Sequence, residues 1–383
     1  MSSEGTASAA LNGASGAAVI LSANPMHDTG GGQRSAQIAL ELLARGWAVL
    51  FVSHDRVTET VDLRLSFKHP RLLECGLEVA LRESGHETLR AFLRHPDAIV
   101  ITQIPVRSWL PILSLARTTG AVRVYDLIDE WDSELGYGWY RRGAERRVLA
   151  RSDVVVATAP SLQRHLAARS SRPVAMLPNA FNHRIFSPHR EYGRPTDLPD
   201  DPVALYVGSL WGSWMDWDLL QAAALALPSV SFVFIGDHRT EGAGLPANCR
   251  FLGLKAQSDL PAYLRHASVA LLPWKNDRVT QATSPLKVFE YVAMGLRVVA
   301  PALEPLSGIP GVIPCTGAPA FEEALRDAVT TAPTAAEREG MTAFAAAHSW
   351  DRRVDALLSL VAQARRTRGT PSLRERLREL TGW

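Results

Sequence analysis

Short apolar runs alternate with longer amphipathic segments along most of the chain. The short runs are rich in Val, Ile and Leu, as in strands buried on both faces, and the longer segments repeat apolar residues every three or four positions, as on one face of a helix. Strands that alternate with helices predict an α/β fold with parallel sheets. We predict strands at 17–23, 48–53, 98–103, 122–128, 154–158, 174–177, 205–207, 231–235, 250–252, 269–273 and 298–300.

A polar, proline-rich segment divides this pattern into two halves. Residues 187–202 contain four prolines, which is typical of a linker between domains. We therefore predict a first domain at 17–186 and a second at 203–350, both Rossmann-like and doubly wound, with a cleft between the carboxyl ends of their sheets. Residues 1–16, rich in Ser, Ala and Gly, predict a disordered tail. Residues 351–383 predict a helix followed by a basic tail.

The segment 283–300, TSPLKVFEYVAMGLRVVA, predicts a short helix that ends at a glycine and leads into a buried strand. Ser284 is a favourable N-cap residue, and Pro285 is favoured at the first helical position. Gly295 would end the helix, and Val298 would begin the strand. The start of such a helix carries backbone N–H groups without partners, which attract anions.

Two charged side chains lie on one face of this predicted helix. Lys287, beside Leu286, places a positive charge in the first turn, where the helix dipole disfavours a cation unless an anionic ligand is bound. Glu290 follows three residues later, one turn deeper. The spacing alone is equally consistent with an ion pair between these side chains on a solvated helix face.

The string SPLKVFEYVAMGLRVVA resembles the donor-site helix of GT-B glycosyltransferases of the group 1 or family 4 type, including glucuronosyltransferase-like relatives, which carry the pattern PLKxFEYxAxGxPVV. The resemblance extends over about residues 18–365. It implies that Lys287 contacts the diphosphate of a nucleotide sugar and that Glu290 contacts the ribose hydroxyls. Many members carry a second glutamate eight residues before this one, where the present chain has Ala282. This chain lacks the carboxylate that would contact the sugar from that position.

Other segments extend the resemblance. The string PNAFNHRIF at 178–186 resembles PNGVDxxxF, which closes the N-terminal domain in this family, with Ala180 in place of the usual glycine and Asn182 in place of the usual aspartate. Gly208 and Ser209 match the position at which the family brings backbone close to the diphosphate. As in GT-B proteins, the helix near the C-terminus is expected to pack back on the first domain. The predicted donor-binding residues are Gly208, Ser209, Ser284, Pro285, Leu286, Lys287 and Glu290.

A glycine-rich loop, NPMHDTGGG at 24–32, follows the first predicted strand. It is not a GxGxxG motif, so a dinucleotide site is not predicted, but its glycines allow a ligand to approach the backbone closely. It resembles the loop that lines the acceptor side of the cleft in this family, and we predict acceptor contacts at Gly31 and Gly32; a tight turn is the alternative. His54, after the second strand, is a further candidate for acceptor binding, or else a simple loop residue.

The segment YDLIDEWD at 125–132 places four acidic residues at and just after the carboxyl end of a strand. Transfer of a sugar with inversion needs a base for the proton of the acceptor hydroxyl, and a carboxylate partly desolvated in a cleft can serve. We predict that Asp129 is this base, because a similar aspartate looks like the base in some glucuronosyltransferase relatives. Alternatively, these acids cap the next helix or pair with Arg141 and Arg142.

The composition, with 46% apolar and 21% charged residues, is that of a globular protein. Three scattered cysteines without metal-ligand or redox spacing favour a reduced, cytoplasmic setting. The N-terminus lacks the charged start of a signal peptide, and the apolar run 17–23 is too short to span a bilayer. No further carboxylate cluster with metal-binding character is evident, and GT-B enzymes generally do not require a metal. We therefore predict no metal, and no cofactor besides the nucleotide sugar as co-substrate.

Arginine is concentrated in two segments. Residues 141–172 contain eight arginines against two acidic residues, and residues 351–383 contain eight against four. Such patches can contact anionic lipid at the inner face of a membrane or a charged saccharide, and a solvated helix face is the alternative. Three tryptophans at 211, 214 and 217 offer ring faces for stacking on a sugar or base.

Together these observations predict a GT-B glycosyltransferase that moves a sugar from a nucleotide sugar, a UDP-sugar by preference, to a hydroxyl of a saccharide, lipid-linked or natural-product acceptor. No nucleic-acid partner is predicted. Two other readings stay open at this point. One is a catalytically silent protein that binds nucleotide sugars as a scaffold or partner, and the other is a GT-B sugar-nucleotide epimerase.

Overall fold

The computed structural model describes residues 3–26, 32–54, 68–237 and 244–368. Its strands form two sheets, one before and one after the segment 187–202. Within both sheets, neighbouring strands run parallel. Parallel neighbours require a crossover connection, which here is usually a helix. The prediction of two doubly wound, parallel-sheet domains is confirmed.

The first sheet contains seven strands: β1 (Ala17–Ser22), β2 (Ala48–Ser53), β3 (Leu72–Gly76), β4 (Ala98–Thr102), β5 (Val122–Leu127), β6 (Val154–Ala157) and β7 (Val174–Met176). Their order across the sheet is β3-β2-β1-β4-β5-β6-β7. The winding direction reverses between β1 and β4, which opens a crevice at the carboxyl ends of these strands.

The second sheet repeats this arrangement with six strands: β8 (Val203–Val207), β9 (Ser231–Ile235), β10 (Cys249–Phe251), β11 (Val269–Leu271), β12 (Val298–Pro301) and β13 (Val312–Cys315). Their order is β10-β9-β8-β11-β12-β13, so the corresponding crevice lies between β8 and β11.

Helices connect the strands and cover both sheets. Those of the first half are α1 (Ser3–Leu11), α2 (Arg34–Ala44), α3 (Leu77–Ala80), α4 (Glu83–Leu93), α5 (Leu110–Thr119), α6 (Arg142–Arg151) and α7 (Pro160–Ala167). Those of the second half are α8 (Trp217–Ala226), α9 (Leu260–His266), α10 (Leu286–Ala293), α11 (Gly317–Thr330), α12 (Ala335–Ala347) and α13 (Trp350–Arg368). In the described part of the chain, none of these helices has the length and apolarity needed to cross a membrane.

The edge strands β3 and β13 were not among the predicted strands. Their sequences, LLECG and VIPC, contain few consecutive apolar residues, and several of their side chains are only half-buried. By contrast, every residue of β1, β2 and β4 is buried, which explains why those strands were evident from apolar runs alone.

The N-terminal segment corrects one prediction. Residues 1–16 were expected to be a disordered tail, but α1 occupies Ser3–Leu11 and packs against α4. Its Ala7 and Ala10 are buried in the same apolar cluster as Leu89 and Phe92. Alanine and serine lower the apparent complexity of a sequence, yet alanine is also the best helix former and lets helices approach closely.

The long helix α13 lies on the first domain rather than on the second. It packs against α2 and also contacts β5 and β6. Trp350, Val354 and Leu357 are buried in one apolar cluster with Ile38 and Leu42 of α2. The predicted basic tail after this helix, residues 369–383, lies outside the described residues.

We expect Ala10→Glu to lower the free energy of unfolding by roughly 1–3 kcal/mol, because it forces a carboxylate into the contact between α1 and α4. Ala9→Glu is the matched control, since Ala9 is exposed on the same helix, and its effect should stay within about 0.5 kcal/mol. Urea unfolding followed by circular dichroism measures both. Equal stability of the two variants would contradict the packed position of α1.

Candidate active site

A cleft of about 340 Å³ lies between the carboxyl ends of the two sheets. The first domain contributes the start of α2 and the loop after β5. The second domain contributes the loops after β8 and β9 and the start of α10. The lining includes Gly32, Gln33, Arg34, Asp129, Asn179, Gly208, Ser209, Trp211, Trp214, Gln257, Trp274, Thr283, Ser284, Pro285, Leu286, Lys287 and Glu290.

The start of α10 differs from the sequence prediction in one respect. Pro285, not Ser284, is the N-cap residue, and no side chain caps the helix. The Ser284 hydroxyl instead accepts a hydrogen bond from the Asn179 backbone N–H (3.2 Å), and the Ser284 carbonyl accepts one from Asn179 Nδ2 (2.6 Å). A contact with the first domain has therefore replaced the local cap, while Leu286 and Lys287 line the cleft in the first turn of the helix.

Lys287 is held without a carboxylate partner among the described residues. Its Nζ donates to Tyr206 Oη at 2.9 Å and lies 4.3 Å and 4.9 Å from the ring centroids of Tyr206 and Trp274. An aromatic face and a neutral hydroxyl orient the ammonium but do not neutralise its charge. The ion pair between Lys287 and Glu290, one of the two readings of the sequence, is not formed.

Glu290 is buried on the next turn of α10, with 7% of its surface exposed. Gln257 Nε2 donates to Glu290 Oε1 at 2.9 Å. Burial raises the pKa of the Glu290 carboxyl to about 7, against the opposing effects of the Gln257 hydrogen bond and the Lys287 charge. Gln257 engages Oε1, and within the described residues no hydrogen bond reaches Oε2 of this cleft-lining side chain.

Two glycines permit the close packing beside Lys287. At Gly208, with φ of +136°, a Cβ atom would lie 2.5 Å from Lys287 Nζ. At Gly236, with φ of +151°, a Cβ atom would lie 2.0 Å from the Gly208 carbonyl oxygen. A larger residue at Gly208 would displace the Lys287 ammonium, and one at Gly236 would displace the Gly208 backbone, so glycine is favoured here on both steric and conformational grounds.

Asp129 faces α10 from the opposite wall of the cleft. Thr283 Oγ1 donates to Asp129 Oδ1 at 3.4 Å, and burial raises the pKa of this carboxyl to about 7. A carboxyl group with this pKa is divided between its acid and base forms at neutral pH, which suits a general base.

The other three acids of this segment are engaged elsewhere. Asp126 forms a buried ion pair with Arg34, Glu130 pairs with Arg278 at 3.4 Å, and Asp132 pairs with Arg142 at 2.6 Å. The reading in which these acids bind arginine therefore holds for Asp132, while Asp129 is the member of the group that lines the cleft.

The predicted acceptor-binding residues differ in their positions relative to the cleft. Gly32 lines the cleft, whereas Gly31 lies outside the described residues. His54 follows β2, and its ring packs edge-on against Trp109 with the centroids 5.8 Å apart. It is not among the residues that line the cleft. The structure therefore brings Asp129 and Gly32 together with the predicted donor residues, but not His54.

The three tryptophans singled out in the sequence, and the loop before α10, differ in whether they line the cleft. Trp211 and Trp214 line the cleft with their rings 5.8 Å apart and tilted by 56°, whereas Trp217 packs against the core of the second domain. Lys275 is exposed and does not line the cleft. The guanidinium of Arg278 turns to the first domain, where it also donates to the Asp132 carbonyl.

Ala282, at the position of the second family glutamate, is buried in an apolar cluster of the first domain. The preceding residue reinforces this contact, because Ser161 Oγ of α7 donates to the Gln281 carbonyl at 3.0 Å. Position 282 therefore points away from the cleft and forms part of the junction between the domains.

The sequence analysis did not identify the residues through which the two domains are held together beside the cleft. Arg34 is 3% exposed and binds Asp126 through two hydrogen bonds, of 2.8 Å and 3.0 Å, while its Nη1 donates to Asn179 Oδ1 at 3.0 Å. A charged residue at the start of a largely buried helix was the signal available for Arg34. No sequence pattern pointed to Gln257, because it lies in a loop of unremarkable composition.

The comparisons with known proteins agree with this geometry. Residues 201–332 match the family model described as glycosyl transferases group 1. TuaH of Bacillus subtilis, named as a teichuronic acid biosynthesis glycosyltransferase, is 24% identical over 210 residues, which cover 49% of this chain and 52% of that protein. The chain thus matches about half the length of this curated relative.

Solved structures resemble nearly the whole chain. Sucrose-phosphate synthase from Thermosynechococcus elongatus superimposes with a TM-score of 0.64 at 17% identity, covering 91% of this chain and 98% of the other. Anabaena HepE, solved in complex with UDP-glucose, gives a TM-score of 0.62 at 14% identity, with 90% and 99% covered.

Two doubly wound domains with a shared cleft, together with these structural matches, define the GT-B fold. The match to the group 1 glycosyltransferase model lies within the second domain, and the resemblance to group 1 GT-B glycosyltransferases predicted from the sequence is confirmed.

The raised pKa values predict a pH-dependent stability. Because burial raises the pKa of Asp129 and of Glu290 to about 7, these two carboxyls bind more protons in the folded chain than in the unfolded chain between about pH 4 and pH 7. The free energy of unfolding should therefore fall as the pH rises through this window. Glu290→Gln should reduce the slope by at most about 1.4 kcal/mol per pH unit.

Urea unfolding at several pH values measures this slope. Glu323→Gln, a substitution of an exposed glutamate on α11, is the control and should leave the slope unchanged. If Glu290→Gln and the wild type lose stability in parallel, the buried carboxyl is not the cause.

Proposed function

We propose that this chain transfers a sugar from a nucleoside diphosphate sugar, in the first instance a UDP-sugar, to a hydroxyl of a saccharide, lipid-linked or natural-product acceptor. One observation carries the proposal. The ammonium of Lys287 lies in a cleft between two domains, beside a helix start without a side-chain cap and without a paired carboxylate among the described residues. Such a site favours a multiply charged anion.

The donor fits the cleft as follows. The diphosphate lies against the first turn of α10 and the Gly208–Ser209 backbone, with Lys287 beside it. Glu290 Oε2, one turn deeper, accepts hydrogen bonds from the ribose hydroxyls. The solved complex of HepE with UDP-glucose supports testing a UDP-sugar first.

The transfer step uses one residue from each domain. Asp129 takes the proton of the acceptor hydroxyl as its oxygen forms the new bond to the anomeric carbon. The bond from that carbon to the diphosphate breaks, and Lys287 stabilises the negative charge that grows on the departing diphosphate. Closure of the two domains over bound substrates would exclude water, which would otherwise compete as acceptor.

Thermal-shift measurements with UDP and GDP test the donor site, since a ligand that binds the folded chain stabilises it and the two nucleotides should do so unequally. We expect Lys287→Met to weaken binding of the preferred nucleotide about tenfold or more, as it removes a charge-assisted contact. Lys275→Met, in the exposed loop before α10, should leave binding unchanged. Absence of stabilisation by either nucleotide would overturn the proposal.

Asp129→Asn separates a transferase from a silent binder. It should bind the nucleotide as the wild type does while its rate of transfer, or of donor hydrolysis, falls about 100-fold or more. The wild-type rate should itself rise as the pH passes through about 7, because the base form of Asp129 is then populated. Binding without turnover by the wild type on every acceptor tested would instead favour the scaffold reading.

A peripheral membrane contact is a further part of this proposal, consistent with a lipid-linked acceptor and a cytoplasmic location. Helix α6 exposes Arg142, Arg146 and Arg147 beside Arg141. Tyr137, just before this helix, is 89% exposed. A basic helix face next to an exposed aromatic ring suits the interface of an anionic bilayer.

We expect the chain to sediment with vesicles of phosphatidylglycerol and phosphatidylcholine at low salt, and to be released as salt screens the arginines. Arg146→Glu should weaken this binding, whereas Arg326→Glu, on the exposed face of α11 in the second domain, should not. If the chain does not sediment with vesicles at low salt, the proposed membrane contact is contradicted, while the transferase proposal is unaffected.

A further inference from the structure

A row of buried side-chain amides crosses the domain boundary and ends at Glu290. Asn182 Nδ2 donates to Gln37 Oε1 at 2.8 Å, and Gln37 Nε2 donates to Gln257 Oε1 at 3.0 Å. Gln257 Nε2 then donates to Glu290 Oε1 at 2.9 Å. Gln37 belongs to α2 of the first domain and Gln257 to the loop after β10 of the second, so the middle hydrogen bond joins the two domains.

All four side chains are buried, with exposed fractions of 1% for Gln37, 4% for Asn182, 6% for Gln257 and 7% for Glu290. Buried amides that lose a partner are costly because water cannot replace it. The row therefore forms completely only while the two domains are in contact.

The three hydrogen bonds of the row all run in the same direction, from donor to acceptor towards Glu290. The amide nitrogen of Gln257 faces Glu290 and donates to its carboxyl oxygen Oε1. The amide oxygen of Gln257 then faces the first domain and needs a donor, which the nitrogen of Gln37 supplies. Asn182 fixes Gln37 in turn by donating to its oxygen. Every donor in the row thus points towards Glu290.

We infer that Gln37, a residue of the first domain, is a positioning residue for the nucleotide site of the second domain. It fixes the Gln257 amide with its nitrogen towards Glu290, and this leaves the other carboxylate oxygen directed to the ribose. The inference rests on the proposed donor site. It adds that the ribose contact is complete only when the domains are closed, so that donor binding and domain closure favour each other.

Other hydrogen bonds cross the same boundary without reaching Glu290. Arg164 of α7 binds Glu304 through two hydrogen bonds of 2.7 Å at the exposed rim, and Ser161 binds the Gln281 carbonyl. Arg164→Gln and Ser161→Ala therefore weaken the domain contact but leave the amide row unchanged. They are the matched controls for substitutions within the row.

The experiment compares the affinity of the full chain for UDP with its affinity for 2′-deoxy-UDP and 3′-deoxy-UDP, by titration calorimetry. GDP and its deoxy forms replace them if GDP binds more tightly. We expect the wild type to bind at least one deoxy form about tenfold more weakly, because Glu290 loses a hydroxyl partner. Gln37→Met, which keeps the size of the side chain but removes the hydrogen bonds to Asn182 and Gln257, should reduce this discrimination to about threefold or less.

Gln257→Met provides the same test from the second domain should Gln37→Met be too unstable to fold, and urea unfolding checks both variants. Full ribose discrimination in folded Gln37→Met would overturn the inference while leaving the donor site in place. Loss of discrimination in Arg164→Gln or Ser161→Ala as well would also overturn it, since any weakening of the domain contact would then suffice. Failure of the wild type to bind UDP or GDP would instead overturn the proposed function.

Discussion

Asn179 holds the start of α10 against the first domain through two hydrogen bonds to Ser284, and the arrangement of the cleft depends on this contact. Because the hydroxyl of Ser284 is used across the domain boundary, it does not cap its own helix. The same contact therefore orients α10 and leaves its first turn open to an anion. Behind it, Asn179 is held by Arg34, and Arg34 by Asp126 at the carboxyl end of β5. A buried ion pair is weak evidence for stability, but it specifies geometry well when every hydrogen bond is satisfied.

Among the charged residues that line the cleft, the cation of Lys287 faces two carboxyls, Asp129 and Glu290, whose ionisation is disfavoured by burial. Lys287 is oriented by Tyr206 and Trp274 rather than neutralised, while burial raises the pKa of both Asp129 and Glu290. Near neutral pH these two carboxyls therefore contribute less negative charge to the cleft than a count of its acidic residues suggests. This balance favours an anionic ligand.

The sequence predicted those features whose causes are local. The central strands and α10 follow from apolar periodicity, and the glycine that ends α10 has φ of +77°, as a helix C-terminus requires. The failures have non-local causes. Strands β3 and β13 lack a continuous apolar run, and several of their side chains are only half-buried. The alanines of α1 become informative only when α4 is placed beside them, and the first-domain partners of Ser284 and Gln257 lie more than 100 residues and 200 residues away.

The burial of Ala282 in the first domain has a consequence for how this chain relates to glycosyltransferases with a glutamate at that position. Substituting glutamate here would not restore a sugar contact, because the new carboxylate would enter an apolar junction next to α7 at a cost of several kcal/mol. A carboxylate at position 282 could reach the cleft only if the segment 280–283 rotated and its apolar neighbours repacked.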